Sequence, residues 1–466
     1  MPAVVVLGLD SVPPELLFQR FLPHMPNVRG LLARALYGPL RTCEPPITVP
    51  AWAVFFSGVD PGTLGVYGFR HRRAGTYFDQ YTPTPSTLQT APIWDLLSRK
   101  GRRVAVLGMP PGYPPPAVNG VYVSDFLTPD NAPDSIYPSS LRPELERVAG
   151  GPLVFDVEFR HDAREKLFEE LLAMTRQRWA IAREVYARGP WDLFALHDIG
   201  PDRFHHAFWK YFDPTHPRHD KAGPFLDIGE RYYAELDKEI GGFLRQVGPE
   251  SIVLVASDHG SKAMDGCFCI NEWLMQQGLL RLKGNAPPAG SPLEKCEINW
   301  KKTSVWGAGG YYARLFFNVK GREPEGSLKG SEVAKMTQRL EQELSRVKRP
   351  DGQPLGVRVV RPETSYRQVR GDPPDLMVYF GDLAWRSAGT VGHGKLFLEE
   401  NDTGPDDAVH GWDGLYALVD PRRSPAAGQG GAREDILNVA PTLLRLLGET
   451  PPSYMQGQPI ARWIPE

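Results

Sequence analysis

No apolar run in the sequence approaches the roughly 20 residues a helix needs to cross a bilayer. The N-terminal stretch Met1–Asp10 has no basic segment ahead of its apolar residues, as a secretory leader would. Both absences predict a cytoplasmic protein with no membrane partner. Cysteine is scarce, with only Cys43, Cys267, Cys269 and Cys296 in 466 residues. Four are too few for a disulfide framework, and Cys267-Phe268-Cys269 lacks the second pair of a structural zinc site. Reduced cysteines without a shared role are expected. Charge of one sign is also missing. The 53 basic and 55 acidic residues leave a formal charge of -2, and the basic ones are spread along the chain. That excludes a dedicated nucleic-acid surface while leaving room for a local basic rim. No segment repeats with a fixed period or is low in complexity.

What the chain does have is a core. Hydrophobic residues make up 41% of it, and 47 glycines and 46 prolines indicate many loops. Short apolar runs at Ala3–Leu9, Arg103–Leu107, Leu193–Leu196, Ile252–Ala256, Leu376–Phe380 and Leu415–Val419 have the pattern of strands buried on both faces. Between them, Ala163–Arg188 and Asp227–Gln246 carry apolar residues at helical spacing. The alternation predicts an α/β fold, a doubly wound and mostly parallel sheet with helices on both faces. Residues 284–390 break the pattern with an expected hairpin (Gly310–Val319), a charged helix (Ser331–Val347) and Gly/Pro-rich joints such as Gly321–Gly326. This span is expected to be a cap inserted into a core formed by 1–283 and 391–466. An amphipathic helix over Asp435–Leu447, ended by Gly448, closes the core.

Doubly wound sheets bind ligands at the carboxyl ends of their strands. Three strands deliver acidic or imidazole side chains there. The first ends in Asp10, the second runs into His197-Asp198-Ile199-Gly200-Pro201-Asp202, and the third ends in Ser257-Asp258-His259-Gly260. Asp202 and His206 are four residues apart and share a helix face, so both can reach one metal ion. Taken alone, the pair reads more readily as a cap or surface group. His205 points away from His206, so only one of the two is expected to bind. Thr48 precedes Pro50 and an apolar run, where a helix N-terminus would suit a phosphoryl oxygen. In isolation it reads better as an N-cap.

Taken together and in order, these segments resemble the alkaline phosphatase superfamily, and within it the type I phosphodiesterase/nucleotide pyrophosphatase branch. The carrying residues are Leu9-Asp10, Thr48-Val49-Pro50-Ala51-Trp52 with Ser57-Gly58 and Pro61, Pro201-Asp202 through His206, Ser257 through Gly260, and His410-Gly411. Ala440-Pro441-Thr442 and Met455-Gln456-Gly457 add to the likeness. Trp300–Thr303 through Gly326 resembles uncharacterised prokaryotic members described as predicted phosphohydrolases or phosphomutases.

The resemblance implies a two-metal phosphoric ester hydrolase, foremost a phosphodiesterase, with Thr48 as nucleophile and a phospho-threonine intermediate. One metal would take Asp202, His206 and His410; the other would take Asp10, Asp258, His259 and the Thr48 hydroxyl. Mixed carboxylate and imidazole ligands favour Zn²⁺, with Mn²⁺ or Fe also compatible. His393 in Val391-Gly392-His393-Gly394 rivals His410 for the late-histidine role. The implied partner is a small phosphate ester, a nucleotide among the candidates.

Two departures stand out. Leu64-Gly65-Val66 replaces the branch's frequent His-Gly pair, and Tyr67–His71 contains no Asn to hold a phosphoryl oxygen. Arg70, His71 and Arg203 are the substitutes considered for substrate binding. Among rivals on the same scaffold, a formylglycine sulfatase fails because Cys43-Glu44-Pro45-Pro46-Ile47 lacks the required Arg. A phosphomutase or phosphomonoesterase stays open. So does a metal-stabilised binding protein, although that reading predicts a lost ligand and every ligand position is filled. Trp300, Trp306, Tyr311 and Tyr312 could stack a base but read more readily as ordinary packing.

Overall fold

The computed structural model describes residues 3–423 and 429–465. Its main sheet has ten strands, and five neighbours at its centre are parallel: Ile252–Ala256, Val4–Leu9, Leu193–Asp198, Val104–Leu107 and Gly120–Val123. Side chains of Val4–Leu9 alternate between two apolar cores, as period-2 geometry requires. Val4 and Val6 pack on the face carrying helices Thr48–Ser57, Ile93–Arg99 and Val439–Leu446. Val5, Leu7 and Leu9 pack on the face carrying Arg164–Ala187, Gly200–Phe212 and Ile228–Leu244. Helices therefore cover both faces, and the fold is the expected doubly wound one. No helix among the described residues is long and apolar enough to cross a membrane.

Three expectations need correcting. Leu376–Phe380 is a strand, but it belongs to a separate seven-stranded sheet, paired antiparallel with Ala313–Phe317 and Val357–Val360. Burial on both faces is the same signature in either sheet, so periodicity could not assign it. Asp413–Val419 lies in the main sheet, yet it runs antiparallel to Ile252–Ala256 and to Leu36–Arg41. The hairpin joins Val305–Ala308 to Ala313–Phe317, so Gly309 and Gly310 form its turn rather than its start.

The second sheet also takes in Gly266–Cys269 and Phe397–Leu398, beyond both ends of the 284–390 span. A two-stranded ribbon, Gly260–Ala263 with Ala408–Gly411, sets Ser261 opposite His410 and so brings the late histidine beside His259. Cys43, Cys267, Cys269 and Cys296 are all free thiols.

Helix Thr48–Ser57 is buried along its whole length and ends on Gly58, whose φ of 67° is left-handed. It packs hard against the first strand. A Cβ on Gly8 would lie 2.5 Å from Trp52 Cη2, so glycine permits the approach that sets Thr48 over the strand end.

Candidate active site

Asp10, Thr48, Asp202, His206, Asp258, His259 and His410 converge at the carboxyl edge of the main sheet, each at most 1% exposed. Thr48 does not cap its helix. Ile47 is the N-cap residue, and Thr48 is the first helical position. Its hydroxyl lies 3.4 Å from Asp10 Oδ1 and 3.2 Å from His259 Nε2.

Two ligand groups share this edge. In one, Asp202 Oδ1, His206 Nε2 and His410 Nε2 form a triangle with sides of 3.3, 3.4 and 3.6 Å. In the other, His259 Nε2 lies 3.3 Å from Asp258 Oδ2 and 3.7 Å from Asp10 Oδ1. His259 is also close enough to Asp202 and His410 to contribute to the first group. Donors around a tetrahedral ion with bonds of about 2.1 Å stand about 3.4 Å apart, so both spacings fit a shared cation.

The hydrogen bonds say the same. His206 Nδ1 donates to Asp406 Oδ1 at 2.7 Å, His410 Nδ1 to Pro46 O at 2.7 Å, and His259 Nδ1 to Gly260 O at 3.0 Å. These bonds select the tautomers that aim all three Nε2 lone pairs inward. Asp202 Oδ1 and Asp258 Oδ2 are buried with no hydrogen-bond partner. Buried lone pairs facing one another without donors are costly unless a cation sits between them.

The electrostatics follow from this crowding. Burial and the Asp10 carboxylate push Asp258 well above the usual carboxylate range. Burial and the neighbouring His410 pull His259 down to about 3, which keeps it neutral and free to donate its lone pair. Burial would also lower His206, but Asp406, Tyr311 and Asp202 outweigh it and raise it, so without a cation its Nε2 holds a proton that a bound metal displaces.

Several participants have no local sequence signature. Trp52 Nε1 donates to Asp10 Oδ2 at 2.9 Å, and His197 Nε2 reaches the same oxygen at 2.7 Å, leaving Oδ1 to face Thr48. Asp406 is held by Arg160 at 3.1 Å and Arg386 at 2.6 Å while it orients His206. Tyr311, from the second sheet's hairpin, stacks on His410 with centroids 3.8 Å apart and sets its hydroxyl 3.1 Å from His206 Nε2. His410 stacks in turn on His259 at 3.9 Å. His205 turns away, between the Ser11 carbonyl and the Tyr233 hydroxyl. His393 bonds Thr390 Oγ1 and Glu272 instead of joining either ligand group.

Asp406→Asn keeps the volume but replaces a charge-assisted bond and leaves Arg160 and Arg386 without their shared anion. Outer partners of ligating histidines are worth about 10- to 100-fold in metal affinity. The variant should lose one bound ion to a competing chelator about that much more readily. Unchanged metal retention would remove Asp406 from the site.

A cavity of about 870 Å³ adjoins the ligands through Arg203, Tyr311 and Arg386. A larger one, about 1230 Å³, runs along Arg164–Ala187 and has no candidate ligand in its lining. Of the three substrate-binding candidates, Arg70 is exposed at the smaller cavity. Arg203 is engaged by carboxylates, with a fork of 2.8 and 2.7 Å to Asp156 and a 2.7 Å bond to Asp202 Oδ2. It holds the Asp202 carboxylate. His71 faces the wall, where Nε2 accepts the Tyr67 N–H at 2.7 Å and the ring stacks on Tyr81.

Burial, aided by Arg314, pulls His71 from 6.5 to about 3. Its folded value lies below its unfolded one, so its stability contribution is present above pH 6.5 and is lost as pH falls toward 3. The slope is about 1.4 kcal/mol per pH unit. His71→Gln should flatten the pH dependence of unfolding free energy between pH 6 and 4 by one proton. Equal slopes for the two proteins would contradict a buried neutral His71.

Residues 4–413 match the family model described as type I phosphodiesterase/nucleotide pyrophosphatase. The chain belongs to that family. It is accordingly a metal-dependent phosphoester hydrolase with the alkaline phosphatase-like fold. Among solved structures it is similar to phosphonoacetate hydrolase from Sinorhizobium meliloti 1021 in complex with phosphonoformate. The TM-score is 0.59 at 15% identity, covering 96% of each chain. It is also similar to murine ectonucleotide pyrophosphatase/phosphodiesterase 5, solved as an inactive variant in complex with AMP. There the TM-score is 0.54 at 12% identity, covering 97% of this chain and 96% of that one. No curated protein matches the sequence.

Proposed function

We propose that this family member is a two-metal phosphodiesterase in which Thr48 attacks phosphorus in line and carries a phospho-threonine intermediate. The observation that carries the reading is the placement of the Thr48 hydroxyl, 3.2 Å from His259 Nε2 and 3.4 Å from Asp10 Oδ1, at a helix N-terminus. One divalent ion would be held by Asp202, His206 and His410, and a second by Asp10, Asp258, His259 and Thr48 Oγ1. The mix of carboxylate and imidazole donors favours Zn²⁺, with Mn²⁺ or Fe compatible. When bound, such ions supply Lewis acidity, lowering the pKa of a coordinated hydroxyl and offsetting charge on the attacking and leaving oxygens.

The chain's own residues do the rest. Asp10 is fixed through Oδ2 by Trp52 and His197, so Oδ1 is left to face the Thr48 hydroxyl and would bind the second ion beside it. The first turn of Thr48–Ser57 presents the N–H groups of Thr48 and Val49, with the positive end of the helix dipole, to a non-bridging oxygen. We assign the contact that the absent Asn would make to the Tyr311 hydroxyl, which lines the cavity 3.1 Å from His206 Nε2. In-line attack by Thr48 expels the first alcohol, and water then displaces Thr48 to release the monoester.

Volume and lining of the 870 Å³ cavity, with Phe69, Tyr77 and Trp306 in its wall, suit a substrate of nucleotide size. The murine neighbour's AMP is consistent with this. The test is turnover of bis-p-nitrophenyl phosphate against p-nitrophenyl phosphate by Zn²⁺- or Mn²⁺-loaded protein. The diester should be hydrolysed with the higher kcat/KM. A preference for the monoester would favour the phosphomonoesterase reading. No turnover of either by fully loaded protein would overturn the hydrolase mechanism.

A further inference from the structure

The cavity beside the ligand groups is lined by six arginines, Arg70, Arg72, Arg160, Arg203, Arg314 and Arg386. Four are neutralised within the protein. Arg72 pairs with Glu323 at 3.4 Å, Arg160 and Arg386 share Asp406, and Arg203 binds Asp156 and Asp202. Among the described residues, Arg70 and Arg314 have no carboxylate within 4.0 Å. The acidic lining does not serve them. Asp156 is taken by Arg203, Asp402 accepts the Gly389 and Thr390 N–H groups, and Glu294 is exposed at the rim.

An exposed, unpaired Arg70 is unremarkable by itself, since water solvates it. Arg314 is different. It is half-buried on the strand Ala313–Phe317, and its Nη1 donates to the Arg70 carbonyl at 2.6 Å, which fixes the guanidinium against the Tyr67–His71 segment. Burial and the charge of Arg70 together lower its proton affinity. Two cations thus repel each other in one cavity, where partial desolvation makes the repulsion stronger than in bulk water. An anion between them would remove both costs and receive forked hydrogen bonds.

We propose that Arg70 and Arg314 form a subsite for a second anionic group, a carboxylate or a phosphate, on the arm of the substrate remote from the reacting phosphorus. Tyr311 and Arg203 line the same cavity and touch His206 and Asp202, so one ligand can reach from the ligand groups to the arginine pair. The substrate class is then a phosphate ester carrying a terminal anion. This rests on the phosphoester reading of the site above.

Binding separates the two claims without requiring turnover. Metal-loaded protein is titrated calorimetrically with alkylphosphonates of three to six methylenes, and with the matching ω-carboxyalkyl and ω-phosphonoalkyl phosphonates. At the best length, a terminal anion should tighten Kd about 10- to 100-fold over the plain alkyl chain. A larger gain for the carboxylate or for the phosphonate arm tells which anion the pair takes. In Arg314→Met the gain should fall to near unity. It should also shrink in Arg70→Met, an exposed position where folding is not at stake. Tight alkylphosphonate binding with no gain from either anionic end overturns the subsite and leaves the phosphoester reading standing. A gain that persists in both variants also overturns it. If no phosphonate binds at all, the phosphoester reading fails and the subsite fails with it.

Discussion

Thr48→Ala is expected to lower kcat for a phosphodiester by about 10⁴-fold or more, since removing a nucleophile leaves only binding and electrostatic terms. The loss should not come from unfolding. Ile47 rather than Thr48 is the helix N-cap, and no backbone N–H depends on the Thr48 hydroxyl. Asp10, Asp258 and His259 still form one ligand group, and Asp202, His206 and His410 the other, so the variant should keep its bound metal. Thr48→Ser keeps an attacking oxygen and loses only a methyl group from a buried position. Its activity should fall between wild type and Thr48→Ala. Measured kcat, melting temperature and metal content of the two variants check all three statements. Near-wild-type turnover in Thr48→Ala would remove Thr48 from the chemistry.

Metal removal is the second large effect. Asp10, Asp202 and Asp258 are buried within one cluster. Arg203 binds Asp202, and Trp52 and His197 bind Asp10, but Asp258 has only the Ser11 N–H at 3.3 Å. Without cations, three carboxylates and three inward-facing imidazole nitrogens compete for too few protons and donors. Dialysis against a chelator should bring turnover to background. It should also lower the melting temperature by several degrees, because each ion present at 1,000 times its Kd contributes about 4 kcal/mol to the folded state. Returning Zn²⁺ or Mn²⁺ should restore both. A chelated protein that melts unchanged would mean that the cluster is satisfied without ions.

Much of this was legible in the sequence because the chemistry sits where strands end. Asp10, Asp258 and His259 directly follow apolar runs, and Asp202 and His206 share a helix face, so local patterns located them. The outer partners were not legible. Asp406 meets His206 across 200 positions, and His197 meets Asp10 across 187. Only the closed sheet and the two-stranded ribbon bring such residues together. Tyr311 read more readily as packing, because its role depends on which way the hairpin Val305–Phe317 turns. Leu376–Phe380 shows the limit of periodicity. A strand buried on both faces announces its burial but not its sheet.

Departures from the branch's pattern also acquire a physical meaning. The segment lacking Asn, Tyr67–His71, is pinned by Arg314 and by the Tyr312 hydroxyl, which donates to the Tyr67 carbonyl at 2.7 Å. His71 is spent on the same segment's own backbone. The wall of the 870 Å³ cavity is therefore built jointly by this loop and the second sheet.

The central claim is covalent catalysis by Thr48, and stereochemistry at phosphorus tests it most directly. A phosphodiester substrate made chiral with sulfur is hydrolysed in ¹⁸O-labelled water, and the configuration of the released monoester is determined. Two successive in-line displacements, the first by Thr48 and the second by water, predict net retention. Net inversion would mean that water attacks the substrate in a single step, and would contradict the account.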